Sequence, residues 1–304
     1  MSLPFITFTD ADLKLNWLDL ISSLESGHKL PKAKVHDVFM NQDKNNILSR
    51  HAWIEGLGIA VKTATIFPEN TTHSQINGLL TLYSHNNGMP EALIDFKLVT
   101  KWKTAGDSLL GASKLARTDS NKILINGAGN VARSMVEAYA ALFPNAVFTI
   151  CNRTEDKAKK LIKEMSRSYN LNLGGELKHE VPKADIIASG TMAEEPIFDG
   201  TWFRPGQHID LIGAYKANMR EVDDKTLLRS RIFVDSRDTT IEHIGELKIP
   251  LANGIIRESN IIADFYDENK NYVRKSNEEI TLFKNGGGAH LDLMTGKYIL
   301  DTCS

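Results

Sequence analysis

The sequence predicts an α/β protein: a doubly wound parallel sheet of Rossmann type joined to an α+β region. Three observations carry that prediction. From Lys122 onward, apolar runs of strand length alternate with amphipathic helical stretches, which is the pattern of a parallel sheet. A glycine string, Gly127-Ala128-Gly129, stands between the first of these strands and the first of these helices. Before Thr104 the extended runs are separated by turn-rich stretches, so antiparallel pairing is expected there.

Taken in order, residues 1 to about 50 are expected to mix amphipathic helix with short extended runs, with Met1-Ser2-Leu3 read in part as a leader. Gly58 to Phe67 reads as a strand that ends at Pro68 and a polar loop, Glu69 to Asn77. Gly78 to Ser84 and Pro90 to Phe96 flank His85-Asn86-Asn87-Gly88, whose composition is that of a hairpin turn. Ser108, Leu109, Ala112, Leu115 and Ala116 then recur at helical spacing. The strands of the parallel sheet are expected at Ile123 to Asn126, Val147 to Asn152, Asp185 to Ser189, Ile209 to Ile212 and Ile232 to Asp235. One helix follows the first strand, with Val131, Met135, Val136, Tyr139, Leu142 and Phe143 on one face. Another begins after Thr154, an N-cap residue followed by Glu155 and Asp156.

Composition narrows the function classes. At 304 residues the chain is long enough for about two domains, and 42% hydrophobic with 24% charged residues is ordinary for a globular protein. Thirty-six basic against 38 acidic residues leave a net charge of −2, which disfavours a nucleic-acid or anionic-membrane surface. No apolar run is long enough to span a bilayer, and a cytoplasmic location is expected. Cys151 and Cys303 form neither a disulfide framework nor a Cys-x-x-Cys pair, and the nine histidines show no metal-site spacing, so no metal is expected.

The chemistry is concentrated around the glycine string. Gly127-Ala128-Gly129-Asn130-Val131-Ala132 is the G-x-G-x-x-A form of the dinucleotide fingerprint. Gly127 permits a tight turn, Gly129 lets the backbone approach a pyrophosphate, and Ala132 allows close packing of helix on strand. The amides at the helix start face the anion. At the end of the second strand, Asn152-Arg153-Thr154 lacks the carboxylate that would hold a ribose 2′-hydroxyl. Arg153 instead offers a planar fork to a 2′-phosphate, which favours NADPH, with NADH as the alternative cofactor. Gly106-Asp107-Ser108-Leu109 spells a hydrolase motif but enters a helical run without a preceding strand or a partnered histidine, so a serine nucleophile is not expected.

Several separated strings together resemble the ornithine cyclodeaminase and mu-crystallin family. They are Val61-Lys62-Thr63 leading to Phe67-Pro68-Glu69-Asn70, Lys103-Thr104-Ala105, Gly127-Ala128-Gly129, Asn152-Arg153-Thr154, Gly200-Thr201-Trp202 with Pro205-Gly206, Ile212-Gly213-Ala214 with Arg220-Glu221, and Ile280 to Lys284. The resemblance implies a substrate and dimerisation domain, residues 1–118 with 286–304, enclosing a Rossmann NAD(P)-binding domain, residues 119–285, with the active site in the cleft. It implies a homodimer, Lys62 facing the substrate and Lys103 at the place of an arginine that holds the substrate carboxylate. It also extends the cofactor contacts to Thr104, Gly213 and Ala214. Ala214 stands where ornithine cyclodeaminases carry a catalytic aspartate, which argues against ring closure of ornithine with loss of ammonia. The resemblance therefore implies a reductase that uses NADPH on the C=N bond of a cyclic imino acid, 1-pyrroline-2-carboxylate or 1-piperideine-2-carboxylate. An NAD-dependent ornithine cyclodeaminase, an open-chain amino-acid dehydrogenase and a non-catalytic NADPH-binding protein are the alternatives.

Overall fold

The computed structural model describes residues 3–267 and 270–303; Met1 and Ser2 of the expected leader, Glu268, Asn269 and Ser304 lie outside them. The chain divides into two compact units, Met1–Gly106 with Gly288–Ser304 and Asp107–Gly287. The first division falls inside the helix Phe96–Leu115, at Gly106, where the sequence suggests Thr118. The helix runs through Gly106 without a break, so no change of composition marks the point.

The first unit is built on a six-stranded sheet in the order β1-β6-β5-β4-β3-β2. Its strands are β1 (Phe5–Ile6), β2 (Lys34–Gln42), β3 (Asn45–Ile54), β4 (Gly58–Ile66), β5 (Ile76–Tyr83) and β6 (Pro90–Asp95). β2 through β6 are joined antiparallel in sequence, and β1 adds in parallel to β6. The strand expected at Gly58 to Phe67 and the hairpin after Gly78 are present. The mixture of helix and extended runs expected before residue 50 is present as the helix Trp17–His28 with β1 and the hairpin of β2 and β3, whose strands of nine and ten residues are longer than the short runs expected. β2 is exposed on nearly its whole length, so it lacks the alternation of buried and polar positions by which a strand is recognised. In β4 that alternation is plain: Ala60, Lys62 and Ala64 are buried, with Ile59, Val61 and Thr63 on the opposite face. The buried face packs against the helix Ala289–Cys303.

The second unit holds an eight-stranded, wholly parallel sheet in the order β13-β12-β14-β11-β10-β7-β8-β9. Its strands are β7 (Lys122–Asn126), β8 (Val147–Cys151), β9 (Asn170–Leu173), β10 (Ile186–Ser189), β11 (His208–Leu211), β12 (Ser230–Val234), β13 (Ile261–Ala263) and β14 (Ile280–Lys284). β10 and β11 are buried at every residue, and β7 at all but its first, as expected of a sheet covered by helices on both faces. From β7 the sheet grows one way through β8 and β9 and the other way through β10 and β11. That reversal is the point at which open α/β sheets bind dinucleotides beyond the carboxyl ends of their strands. The expected five strands are all found; β9, β13 and β14 are additional.

Candidate active site

In the second unit β7 leads into Gly127, whose φ of +132° is a conformation that side chains rarely adopt. A Cβ there would lie 3.1 Å from the carbonyl of Gly190, the residue that follows β10. Gly129 caps the helix Asn130–Leu142, and a Cβ on it would meet nothing within 4 Å. The open space at Gly129 and the free amides of the first helical turn fit a pyrophosphate. Ala132 is buried in the core formed with Ile125, Met135 and Ile150, and Val131 packs against the same core.

At the end of β8, Arg153 and Thr154 are exposed, and Asn152 donates from Nδ2 to the Thr154 carbonyl at 2.8 Å. Thr154 holds the N-cap position of the helix Glu155–Met165, but its side chain makes no capping bond, contrary to the expectation from sequence. The turn into the helix is held instead by the Asn152 side-chain amide on the Thr154 carbonyl and by Lys157 N, which donates to the same carbonyl at 3.1 Å. The second strand pair carries its own fastening. Glu221 is fully buried, and its Oε1 accepts from Ser189 Oγ at 2.6 Å, Thr191 Oγ1 at 2.7 Å and Thr191 N at 3.0 Å, while Oε2 accepts from Gly213 N at 2.8 Å. One carboxylate thus ties the loop after β10 to the loop after β11. Gly213 must be glycine, since a Cβ would lie 2.1 Å from the Thr191 carbonyl oxygen. Ala214 is fully buried with Met219 and Ile244, so its side chain packs a small core.

Ser108, the residue of the discounted hydrolase string, is buried and donates to Asp210 at 3.1 Å while Asn285 donates to it at 3.0 Å. Asp210 also accepts from Tyr139 at 2.8 Å, and burial raises its carboxyl to about 7 despite these two donors. The serine is bound to a carboxylate and not to an imidazole, which leaves it without a base of the kind a nucleophile requires.

The first unit supplies a compact charged group. Lys62 and Lys103 are 4% and 7% exposed, and both ammonium groups approach the same oxygen of Asp292, Oδ1, at 2.8 and 3.3 Å. Lys62 also donates to Thr100 Oγ1 at 2.9 Å and lies over the Phe96 ring, 4.6 Å from its centroid. Phe96, Thr100 and Lys103 share one stripe of their helix by their spacing, and Asp292 comes from the first turn of Ala289–Cys303. Arg50 stands directly across from Lys62 in the β3 to β4 register and pairs with Asp37 at 3.0 Å. Burial pushes Lys62 down to about 8, although Asp292 opposes the change. Burial alone would raise Asp292, but the charges of Lys103 and Lys62 outweigh it and hold it at about 2. Thr104 is half-buried in the same unit.

The sequence reading names Lys62 and Lys103, and the structure brings them to one carboxylate. It missed Asp292, Thr100 and Arg50. The sequence signal for Asp292 is a single acid flanked by Leu291, Leu293 and Met294.

The sequence model of the ornithine cyclodeaminase/mu-crystallin family matches residues 38–304. The chain belongs to that family. Among its relatives, the Delta(1)-pyrroline-2-carboxylate reductase of Paracoccus denitrificans is 45% identical over 301 residues, covering 97% of this chain and 95% of the relative. A Delta(1)-pyrroline-2-carboxylate reductase of Colwellia psychrerythraea is 33% identical over 94% of this chain and 95% of its own. The structure of Thermococcus litoralis Delta(1)-pyrroline-2-carboxylate reductase in complex with NADH and L-proline superposes with a TM-score of 0.88. It is 28% identical and covers 99% of this chain and 97% of that one. The family assignment therefore extends over both units, and the Rossmann architecture of the second is common to this family member and its solved relative.

Proposed function

We propose that the protein reduces the C=N bond of a cyclic imino acid, 1-pyrroline-2-carboxylate giving proline or its six-membered counterpart giving pipecolate, with NADPH as reductant. The observation that carries the reading is the buried cluster of Lys62, Lys103 and Asp292, in which two ammonium groups share a single carboxylate. Such a cluster holds a surplus of positive charge that a substrate carboxylate would neutralise, whereas a buried cation without an anion is costly. Relatives named as pyrroline-2-carboxylate reductases at 45% and 33% identity support the ring and the reaction.

Gly127, Ala128, Gly129, Asn130 and Val131 would hold the dinucleotide phosphates, Asn152, Arg153 and Thr154 its adenosine end, and Gly213 the nicotinamide side, with Thr104 a further contact. Bound NADPH supplies a hydride. Lys103 binds the substrate carboxylate as a point charge, and Lys62 lies beside the imine nitrogen, where its lowered proton affinity suits it to release a proton. Ala214, buried where an ornithine cyclodeaminase carries its aspartate, supports reduction over ammonia release. Purified protein should consume NADPH with 1-pyrroline-2-carboxylate and form proline. Ammonia released from ornithine with NAD, in place of that reaction, would replace the reading.

Cofactor choice gives a separate expectation. NADPH should bind more tightly than NADH, and Arg153→Ala should weaken NADPH roughly ten- to hundredfold while leaving NADH unchanged, the loss of about 1.5–3 kcal/mol from a charge-assisted bond. Equal affinities of the parent for both cofactors, measured by fluorescence titration, would rule this out.

We further propose a homodimer in the cytoplasm. Two free cysteines, one of them buried, suit a reducing compartment. The face of the first sheet opposite Lys62 carries Val38, Ile47, Trp53, Ile59, Val61 and Leu79, half-buried or exposed among the described residues and interleaved with Ser49, His51 and Thr63, and a second copy would cover these apolar side chains. Trp53, 51% exposed, faces that side. Sedimentation equilibrium should give a dimer for the parent and a monomer for Trp53→Glu; a monomeric parent would end the proposal.

A further inference from the structure

The two oxygens of Asp292 are used unequally. Oδ1 accepts from Lys62 at 2.8 Å and lies 3.3 Å from Lys103, whereas Oδ2 is buried with no hydrogen-bond partner among the described residues. The residue is 1% exposed, so solvent does not offset the missing bond. A buried carboxylate oxygen without a donor costs about 1–3 kcal/mol, more when charged, and a folded protein rarely keeps one for packing alone. The two nearest cations are both engaged on the other oxygen. The orphan atom calls for a donor that the described residues do not supply.

The proposed substrate class carries such a donor. Its nitrogen bears an N–H once the imine is protonated, and keeps one in the product amine. We propose that Asp292 Oδ2 accepts the N–H of the substrate's ring nitrogen, so that Asp292 recognises the nitrogen while Lys103 recognises the carboxylate. The inference rests on the imine-reductase reading and specifies which group reads the C=N end.

The chemistry balances. Lys62 gives a proton to the imine nitrogen and becomes a neutral amine; the new N–H donates to Oδ2, and the positive charge on nitrogen faces a carboxylate. The hydride then forms a C–H bond at the imine carbon as the π pair of C=N moves onto nitrogen, which leaves a neutral secondary amine still hydrogen-bonded to Oδ2. Holding the anion next to nitrogen favours the protonated imine, the more electrophilic form, over the neutral one. Asp292 can do this because its other oxygen is fixed by Lys62, so the carboxylate cannot turn away.

The test compares two ligands that share a carboxylate and a five-membered ring but differ at nitrogen: L-proline and cyclopentanecarboxylate. Each is titrated calorimetrically into protein saturated with NADPH. The parent should bind proline at least tenfold more tightly. Asp292→Asn should bring that ratio close to one while keeping or strengthening the binding of cyclopentanecarboxylate, because the two lysines no longer share their charge with an anion. A merely structural role would weaken both ligands alike. Equal binding by the parent, or an undiminished preference in Asp292→Asn, overturns the inference. If Asp292→Asn does not fold, Asp292→Glu decides with the parent: a retained preference for proline in both supports the assignment, and its loss in the Glu variant counts against it. A parent that shows no NADPH oxidation with cyclic imino acids would instead defeat the imine-reductase reading, whatever the two ligands do.

Discussion

Lys62→Met should lower the rate of hydride transfer to a cyclic imino acid roughly a hundred- to ten-thousandfold, the range expected when a positioned proton donor is removed. The apparent substrate constant should change far less, because the interaction strengthens only as charge develops on nitrogen. Lys103→Met should do the reverse, raising the substrate constant roughly ten- to hundredfold through the loss of a charge-assisted contact, with a smaller effect on turnover. Both variants keep one ammonium on Asp292 Oδ1, so neither leaves that carboxylate alone. The pH profile supplies a third readout. Lys62 faces Asp292, Thr100, Lys103 and Arg50, and burial brings it down to about 8. The protonated form is the one that donates, so the rate should fall as pH rises through about 8, and Lys62→Met should lose that limb. Pre-steady-state kinetics with 1-pyrroline-2-carboxylate checks all three, and two Met variants with parental turnover and substrate affinity would place these lysines outside the active site.

Glu221→Ala should be the most damaging single change to the second unit. It removes the acceptor of four hydrogen bonds at once, two from backbone amides and two from hydroxyls. Two of the donors, Thr191 N and Gly213 N, belong to loops that emerge side by side from β10 and β11. Leaving such groups unpaired costs about 1–3 kcal/mol each, and for a unit of this size that corresponds to a fall in Tm of very roughly 5–15 °C. NADPH binding should weaken as well, since the loop with Gly213 loses its anchor. Glu221→Gln should be milder, because its carbonyl oxygen can still accept from several donors while its NH2 group opposes the remaining one. Thermal unfolding with and without NADPH measures both effects; a Tm within a degree or two of the parent would show that the clamp contributes little.

How much of this was legible in the sequence differs between the units for a physical reason. In the second unit, local chemistry and global position coincide: β7, a turn that needs glycine and a helix are contiguous, so Gly127 to Ala132 announces both the fold and the site. β7 and β10 were readable because burial on both faces gives unbroken apolar runs, Ile123 to Ile125 and Ile186 to Ala188. β14 was not, since it lies in the sheet between β11 and β12, away from β13 that precedes it in the chain. In the first unit, the charged cluster joins Lys62, Lys103 and Asp292 from three distant stretches, and only the folded sheet and helices bring them together. Periodicity can place Lys62 on the buried face of β4, but it cannot say that an aspartate more than two hundred residues later will meet it. The exposed β2 failed for the opposite reason, since none of its residues is buried among the described residues and no alternation is imposed.

The position of β14 also constrains the order in which the molecule can be made. β14 is the hydrogen-bonded neighbour of both β11 and β12, so the sheet stays split until residues 280–284 have left the ribosome. The first unit waits longer still, because the buried face of β4 packs against the helix Ala289–Cys303, whose Asp292 meets both Lys62 of β4 and Lys103 and which is made after them. Until then Lys62 and Lys103 have no carboxylate between them, and the apolar inner face of the hairpin sheet is open to water. Until residues 280–303 emerge, the nascent chain therefore carries two incomplete cores, a state in which exposed strands invite wrong pairing. Both close only as residues 280–303 take their places.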